Sequence, residues 1–231
     1  MIFCYGDGVI IAVCIPCFRT PEMSFTTSLA RMMFYSARAL PEAEIQVRTV
    51  KGRPVQMSRH HLVERSIKER ADYILFADTD HIFPPDSLER LLGHQQMIVG
   101  VNYSKRAEGA GSTAFGLDGK PVRTTAQKAA AGELEQVLSM GFGLCLIKSL
   151  VFGHLGEKAR REGVSIYPLF DFEMRGAELV VGEDGYFFRK VHEAGLKAYV
   201  DHALSNEVGH IGERVYMNSD AFSPGQSTTL A

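Results

Sequence analysis

Apolar and polar positions along the chain fall into short blocks of two kinds. Val9 to Ile15 is a continuous run, rich in β-branched residues, with the length of a buried strand; Pro16 closes it, and a loop follows through Arg19, Thr20 and Pro21. Phe25, Leu29, Met32, Met33 and Ser36 then recur at helical spacing, with Ser24 as a cap and Pro41 just past the end. A second strand is expected over Ile45 to Val50, then a helix capped by Ser58 whose buried stripe is Val63, Ile67 and Ala71. Tyr73 to Ala77 reads as a third strand. Pro84-Pro85-Asp86-Ser87-Leu88-Glu89 starts a helix, with Asp86 as the cap and Glu89 closing a capping box, and that helix runs to about His94. Met97 to Val101 adds a strand.

The second half is less regular. Lys105 to Gly132, rich in Gly, Ala, Thr and Lys, has no period and is expected to be a long loop or an irregular hairpin. An apolar strand near Val137 to Ile147 is interrupted by Gly141-Phe142-Gly143, and a helix spans about Ser149 to Arg161. A strand near Ile166 to Phe172 leads to Gly182-Glu183-Asp184, which opens a helix through Phe188 and Val191 to Ala194, with Gly195 as its stop. Leu196 to Val200 is the last strand. Little pattern follows His210, and 223–231 is expected to be a flexible tail.

Strands alternating with helices of this length predict an α/β fold: one domain over about 1–222, with a mostly parallel twisted sheet and helices on both faces. Ligands of such sheets bind beyond the carboxyl ends of the strands, which is where Asp78 and Asp80 fall.

Composition narrows the partners. The chain has 231 residues, 45% of them hydrophobic, which is enough for one sizeable core. A formal net charge of −2 gives no global field toward nucleic acid or an anionic membrane. A polyanionic partner would need a local patch, for which the cations from Arg48 to Arg70 and the pair Lys105-Arg106 are the candidates. No apolar run is long enough to span a bilayer, and four cysteines make no disulfide framework in a chain of this size, so a reducing, cytoplasmic setting is expected.

Asp78-Thr79-Asp80, at a strand's end, sends two carboxylates from alternate positions toward one side, where they can hold Mg²⁺ or Mn²⁺ against phosphates. The competing reading has one aspartate capping a helix and the other solvated. Glu183-Asp184 could supply a general base, although the helix dipole favours acids at that position with or without chemistry. His210, between glycines, could be a third metal ligand or a local hydrogen-bond partner. Cys14-Ile15-Pro16-Cys17 has the spacing of a redox pair, but it lies in a strand rather than at a helix start, so buried structural thiols are expected. Gly141-Phe142-Gly143 is no dinucleotide fingerprint; it lets backbone approach another group closely.

These signals fall in an order that resembles the small GT-A glycosyltransferases related to glycosyltransferase family 2. The likeness runs through Ile11-Ala12-Val13-Cys14-Ile15-Pro16, Ser58-Arg59-His60-His61-Leu62-Val63, and Ala71 to Asp80 followed by Ile82 to Leu88. It continues in Gly141 to Ile147, Gly182 to Phe188, and His210. The resemblance implies transfer of a sugar from a nucleoside diphosphate sugar to an acceptor hydroxyl, with Mn²⁺ or Mg²⁺ as cofactor. A nucleotide-binding part would cover about 9–103 and an acceptor part about 104–215. By position it implies donor contacts at Pro16, Arg19, Arg59, Asp78, Thr79, Gly141 and Gly143, metal ligation by Asp78, Asp80 and His210, and catalysis by Asp184, with Glu183 second. The acceptor, whether glycan, protein, lipid, small metabolite or hydroxylated nucleic-acid base, stays open. Two alternatives stand beside this: a sugar-nucleotide nucleotidylyltransferase, which would need a glycine-rich, lysine-bearing loop near the amino terminus that is not visible, and a non-catalytic sugar- or nucleotide-binding module.

Overall fold

A computed structural model describes residues 8–222. The expected flexible tail, 223–231, lies outside them, as does Cys4. The first half holds β1 (Ile10–Cys17), α1 (Met23–Ala39), β2 (Glu44–Lys51), α2 (Val55–Lys68), β3 (Tyr73–Ala77), β4 (His81–Ile82), α3 (Ser87–Gly93) and β5 (Ile98–Gly100). The second holds β6 (Phe115–Gly116), α4 (Ala126–Ala130), β7 (Leu134–Ser139), β8 (Leu144–Lys148), α5 (Leu150–Glu162), β9 (Glu173–Arg175), β10 (Glu178–Val181), α6 (Glu183–Glu193), β11 (Ala198–Asp201), α7 (His202–Ser205), β12 (Gly209–Ile211) and β13 (Val215–Tyr216), then a 3₁₀ turn, Asn218–Phe222.

Eight strands form one sheet in the order β2-β1-β3-β8-β5-β11-β7-β6. The run β2, β1, β3 is parallel, as is β5 with β11; β8 enters antiparallel between β3 and β5. The result is the expected mixed α/β fold, compatible with a Rossmann-like GT-A architecture.

Period-two alternation divides the apolar side chains between two core layers. Ala12, Cys14, Ile74, Phe76, Cys145 and Ile147 face the layer covered by α2, α5 and α6; Ile11, Val13, Leu75, Ala77, Leu144 and Leu146 face the layer covered by α1, α3 and α7. Strands buried on both faces read as unbroken apolar runs, which is why β1 and β3 were legible.

Several boundaries differ from expectation for identifiable reasons. β1 runs through Pro16 to Cys17, because its pairing with β3 ends at Cys14 and the missing N–H of Pro16 costs no ladder bond there. Ser24 and Ser58 are not caps: α1 begins at Met23 behind Glu22, and α2 at Val55 behind Pro54. The buried stripe of α2 is Ser58, Arg59, Leu62, Val63 and Ser66, while Ile67 is exposed. The single expected strand from Val137 to Ile147 is two strands, β7 and β8, which lie apart in the sheet. Ile166 to Phe172 is not a strand. Leu169 and Phe170 are buried against Phe76, Phe142 and Phe187, so their apolarity reports core packing rather than a ladder. Within 105–132, β6 and α4 are the only named elements; His210, expected in a loop between glycines, lies in β12 of a small sheet ordered β13-β12-β4.

Candidate functional site

The site lies beyond the carboxyl ends of β1 and β3. Arg59, on the buried stripe of α2, donates through Nη1 to Asp78 Oδ1 at 2.9 Å and through Nη2 to Oδ2 at 3.1 Å. Nη2 also reaches Glu183 Oε1 at 3.5 Å. The guanidinium is 3% exposed and packs over the rings of Phe142 and Phe76, at 4.8 Å and 5.7 Å from their centroids. An aromatic floor on one side and two carboxylates on the other fix its plane. Burial pushes the Asp78 carboxyl up, but Arg59 outweighs that and holds it below the usual aspartate range. Burial wins at Glu183, whose carboxyl is held above its usual range despite Arg59.

Asp80 faces a different group. Its Oδ1 lies 2.9 Å from Nδ1 of the adjacent His81, yet neither atom makes a hydrogen bond, and His81 Nε2 has no partner either. His81 is 1% exposed, and burial, with His210 second, pushes its imidazole down to about 3, so the ring is neutral. His210, opposite His81 across the β12–β4 pair, stacks on it with ring centroids 4.4 Å apart. His210 Nδ1 donates to the Ser104 carbonyl at 2.9 Å, which leaves Nε2 as an acceptor: it takes the Arg106 Nε–H at 2.9 Å and lies 3.6 Å from Asp80 Oδ2. Asp80, His81 and His210 thus offer three donor atoms within 4.8 Å of one another. One carboxylate and two neutral imidazoles form a mixed oxygen–nitrogen set, better suited to Mn²⁺ than to the all-oxygen preference of Mg²⁺. Three of the buried polar atoms here, Asp80 Oδ1 and the two His81 ring nitrogens, have no hydrogen-bond partner, as a cation site would leave them.

A second acid–histidine group, Glu133, Glu135 and His202, is built differently. Lys128 pairs with both carboxylates, His202 bridges Glu135 and Thr124, and its charges and ring nitrogens are satisfied by protein.

The two glycines of Gly141-Phe142-Gly143 make room for side chains. A Cβ on Gly141 would meet the Tyr103 hydroxyl, and one on Gly143 would fall within 2.8 Å of three His81 ring atoms. The Gly143 N–H donates to the Tyr103 hydroxyl at 3.1 Å, its carbonyl accepts from the Asp78 N–H at 3.1 Å, and the Tyr103 ring packs edge-on against His81. Gly143→Ala is therefore expected to destabilise the fold by about 1–3 kcal/mol through overpacking. Paired thermal melts of the variant and the wild type read this loss.

A cavity of about 310 Å³ opens beside these groups, lined by Pro16, Phe18, Arg53, Arg59, Asp78, Thr79, Asp80, Arg106 and Glu183 among others. The chain's fold is similar to a solved one. It superposes on A197 from STIV with a TM-score of 0.54 at 15% identity, over 96% of this chain and 100% of that one, and at that identity the likeness is one of fold. A more distant superposition, on 4-diphosphocytidyl-2C-methyl-D-erythritol synthase from Anaerococcus prevotii DSM 20548, has a TM-score of 0.38 at 10% identity, over 79% of this chain and 83% of that one. No protein-family model and no curated protein matches the chain.

Of the residues singled out in the sequence, Pro16, Arg59, Asp78, Thr79, Asp80 and Glu183 converge on this cavity, and His210 reaches Asp80 from β12. Arg19 is not among the lining residues; its guanidinium sits 5.9 Å from the Phe18 ring. Asp184 accepts from the Gly185 N–H at 2.7 Å in the first turn of α6, next to Glu183. Cys14 and Cys17 are free and buried, as expected of strand thiols, and burial raises the Cys14 thiol to about 11. Arg48 is buried against Glu69 and adds nothing to a surface patch. Among the described residues no helix is long and apolar enough to cross a membrane.

Sequence reasoning missed His81, Tyr103 and Arg106. His81 had a signal, since it follows Asp78-Thr79-Asp80 directly. Arg106 stood out only as part of a candidate basic patch with Lys105, and Tyr103 had no signal, because it reaches the site from the loop that follows β5.

Proposed function

We propose that this chain is a metal-dependent glycosyltransferase that moves a sugar from a nucleoside diphosphate sugar to an acceptor hydroxyl. The observation that carries the reading is the division of labour within Asp78-Thr79-Asp80: the first carboxylate is engaged by a buried arginine, and the second faces two neutral histidines. In this reading the donor occupies the cavity beside Asp78 and Asp80, with its nucleotide toward Pro16 and Phe18. Asp80, His81 and His210 hold Mn²⁺, which supplies charge neutralisation for the departing diphosphate. Arg59 keeps Asp78 ionised and in one rotamer; it is a positioning residue whose effect passes through that carboxylate.

Asp184 is the better general base. Glu183 is tied to Arg59 and its carboxyl is held high by burial, whereas Asp184, among the described residues, bonds only its neighbour's N–H and can accept the proton of an attacking hydroxyl. Arg106 and Arg53 line the cavity and suit a phosphorylated donor.

The test is a panel of nucleoside diphosphate sugars, each assayed for donor turnover with and without Mn²⁺. Mn²⁺-dependent release of nucleoside diphosphate from one donor supports the reading; no turnover of any donor and no diphosphate binding under either condition sinks it. With the responsive donor, Asp184→Asn is expected to lower kcat by about 10²–10⁴-fold, the usual worth of a general base, while leaving Mn²⁺ affinity unchanged.

A further inference from the structure

We infer that Arg106 is the resident occupant of the cation position and that Mn²⁺ enters by displacing it. The inference rests on the reading of Asp80, His81 and His210 as metal ligands and concerns how that same site is kept when no metal is bound.

The guanidinium of Arg106 lies on the two outward-facing ligand atoms of the group. Its Nη2 pairs with Asp80 Oδ2, and its Nε donates to His210 Nε2 at 2.9 Å. These are the lone pairs a metal would take. Ser104 makes the arrangement specific: its carbonyl uses the only N–H of the neutral His210 ring, so Nε2 can do nothing but accept, from a donor or from a cation. A guanidinium, which carries charge and two donors in one plane, meets a carboxylate oxygen and an imidazole lone pair 3.6 Å apart.

The fit is incomplete on the inner side. Asp80 Oδ1 and both ring nitrogens of His81 stay without hydrogen bonds behind the guanidinium. A planar arginine approaching from the solvent side covers the outer half of the donor set and leaves the inner half bare. A small divalent ion can sit among Asp80, His81 and His210 together, satisfying atoms the arginine leaves exposed, so metal and Arg106 compete and cannot both be seated.

The surroundings let the side chain leave without the loop. The backbone around Arg106 is moored: the Lys105 N–H donates to the Gly111 carbonyl, Gly109 to Asp220 and Gly111 to Ala221, while Arg214 ties Glu108 to Asp220. The Arg106 side chain itself is 52% exposed and lies across bare Gly212, where a Cβ would come within 3.3 Å of Arg106 Cβ. Arg106 also lines the donor cavity, which gives the displaced guanidinium space to swing into.

The experiment is Mn²⁺ binding to the full chain without donor, followed by the electron paramagnetic resonance signal of free Mn²⁺, for the wild type, Arg106→Gln, Asp80→Asn and the double variant. A guanidinium seated about nine-tenths of the time lowers apparent metal affinity about tenfold, so Arg106→Gln should bind Mn²⁺ about tenfold more tightly than wild type. Asp80→Asn should abolish binding in both backgrounds. Equal or weaker affinity in Arg106→Gln overturns the inference while leaving the metal site standing. Absence of Mn²⁺ binding in wild type and Arg106→Gln alike, or binding that survives Asp80→Asn, overturns the metal reading and the inference with it. Because Arg106 is half exposed, Arg106→Gln should melt at the wild-type temperature, which separates a binding effect from a folding one.

Discussion

Replacing Asp80 with asparagine is expected to reduce Mn²⁺-dependent donor turnover by about a hundred- to a thousandfold, since losing a metal ligand forfeits several kcal/mol of charge stabilisation and each 1.36 kcal/mol is tenfold in rate. The size of the effect follows from the poverty of the ligand set. Asp80 is the only carboxylate in a group otherwise made of two neutral imidazoles, so its charge is what attracts a cation. The amide keeps the shape and one acceptor oxygen and should leave the fold intact, because the same side chain is not part of a buried ion pair with Arg59. Full turnover in Asp80→Asn, measured at saturating donor and Mn²⁺, would refute the metal assignment.

Arg59→Ala should act on the fold first. Removing a buried guanidinium leaves Asp78 ionised over an aromatic floor and Glu183 without its counter-charge, and breaking a buried pair from one side costs about 3–5 kcal/mol. Denaturant unfolding at neutral pH reads this directly. Arg59→Lys keeps the charge but not the paired donors to Asp78, so its loss should be smaller. The pH dependence has a definite sign. Because Arg59 holds the Asp78 carboxyl below its usual range, the stability it lends is present above the ordinary aspartate value and disappears as pH falls through the depressed one. The wild-type and Arg59→Ala unfolding curves should therefore converge in acid. A gap that stays constant down to strongly acidic pH would mean that the pair contributes packing rather than charge.

How much of this was legible beforehand depended on the range of each interaction. The strand ending in Asp78-Thr79-Asp80 could be read in full, because five consecutive apolar residues buried on both faces leave an unambiguous trace and the acids follow them immediately. The Glu183-Asp184 helix start was legible from Gly182 and Gly195 at its two ends. Arg59 was marked by the resemblance, as a donor contact, while its helix was begun too late and the buried stripe misread. The reason is physical: a buried arginine and two buried serines on that face do not look apolar, and only their partners, Asp78 for the guanidinium and Cys14 for Ser66, explain why they are inside.

The sequence alone determined local matters: where most of the central strands and helices lie, that they alternate into an α/β fold, and that an acidic pair sits at a strand's carboxyl end. Those follow from period, propensity and turn chemistry, which act over a few residues. The tertiary structure decided which groups share the acids. Asp78 and Asp80 are two residues apart, yet one answers to Arg59, 19 positions earlier, and the other to His210, 130 positions later, and to Arg106 between them. β8 lies antiparallel beside β3 and brings Gly143 onto His81 and Tyr103. The β12–β4 pair sets His210 against His81. Contacts of that kind depend on strand order and register, which are set by closing the whole core at once and leave no periodic signal in the chain.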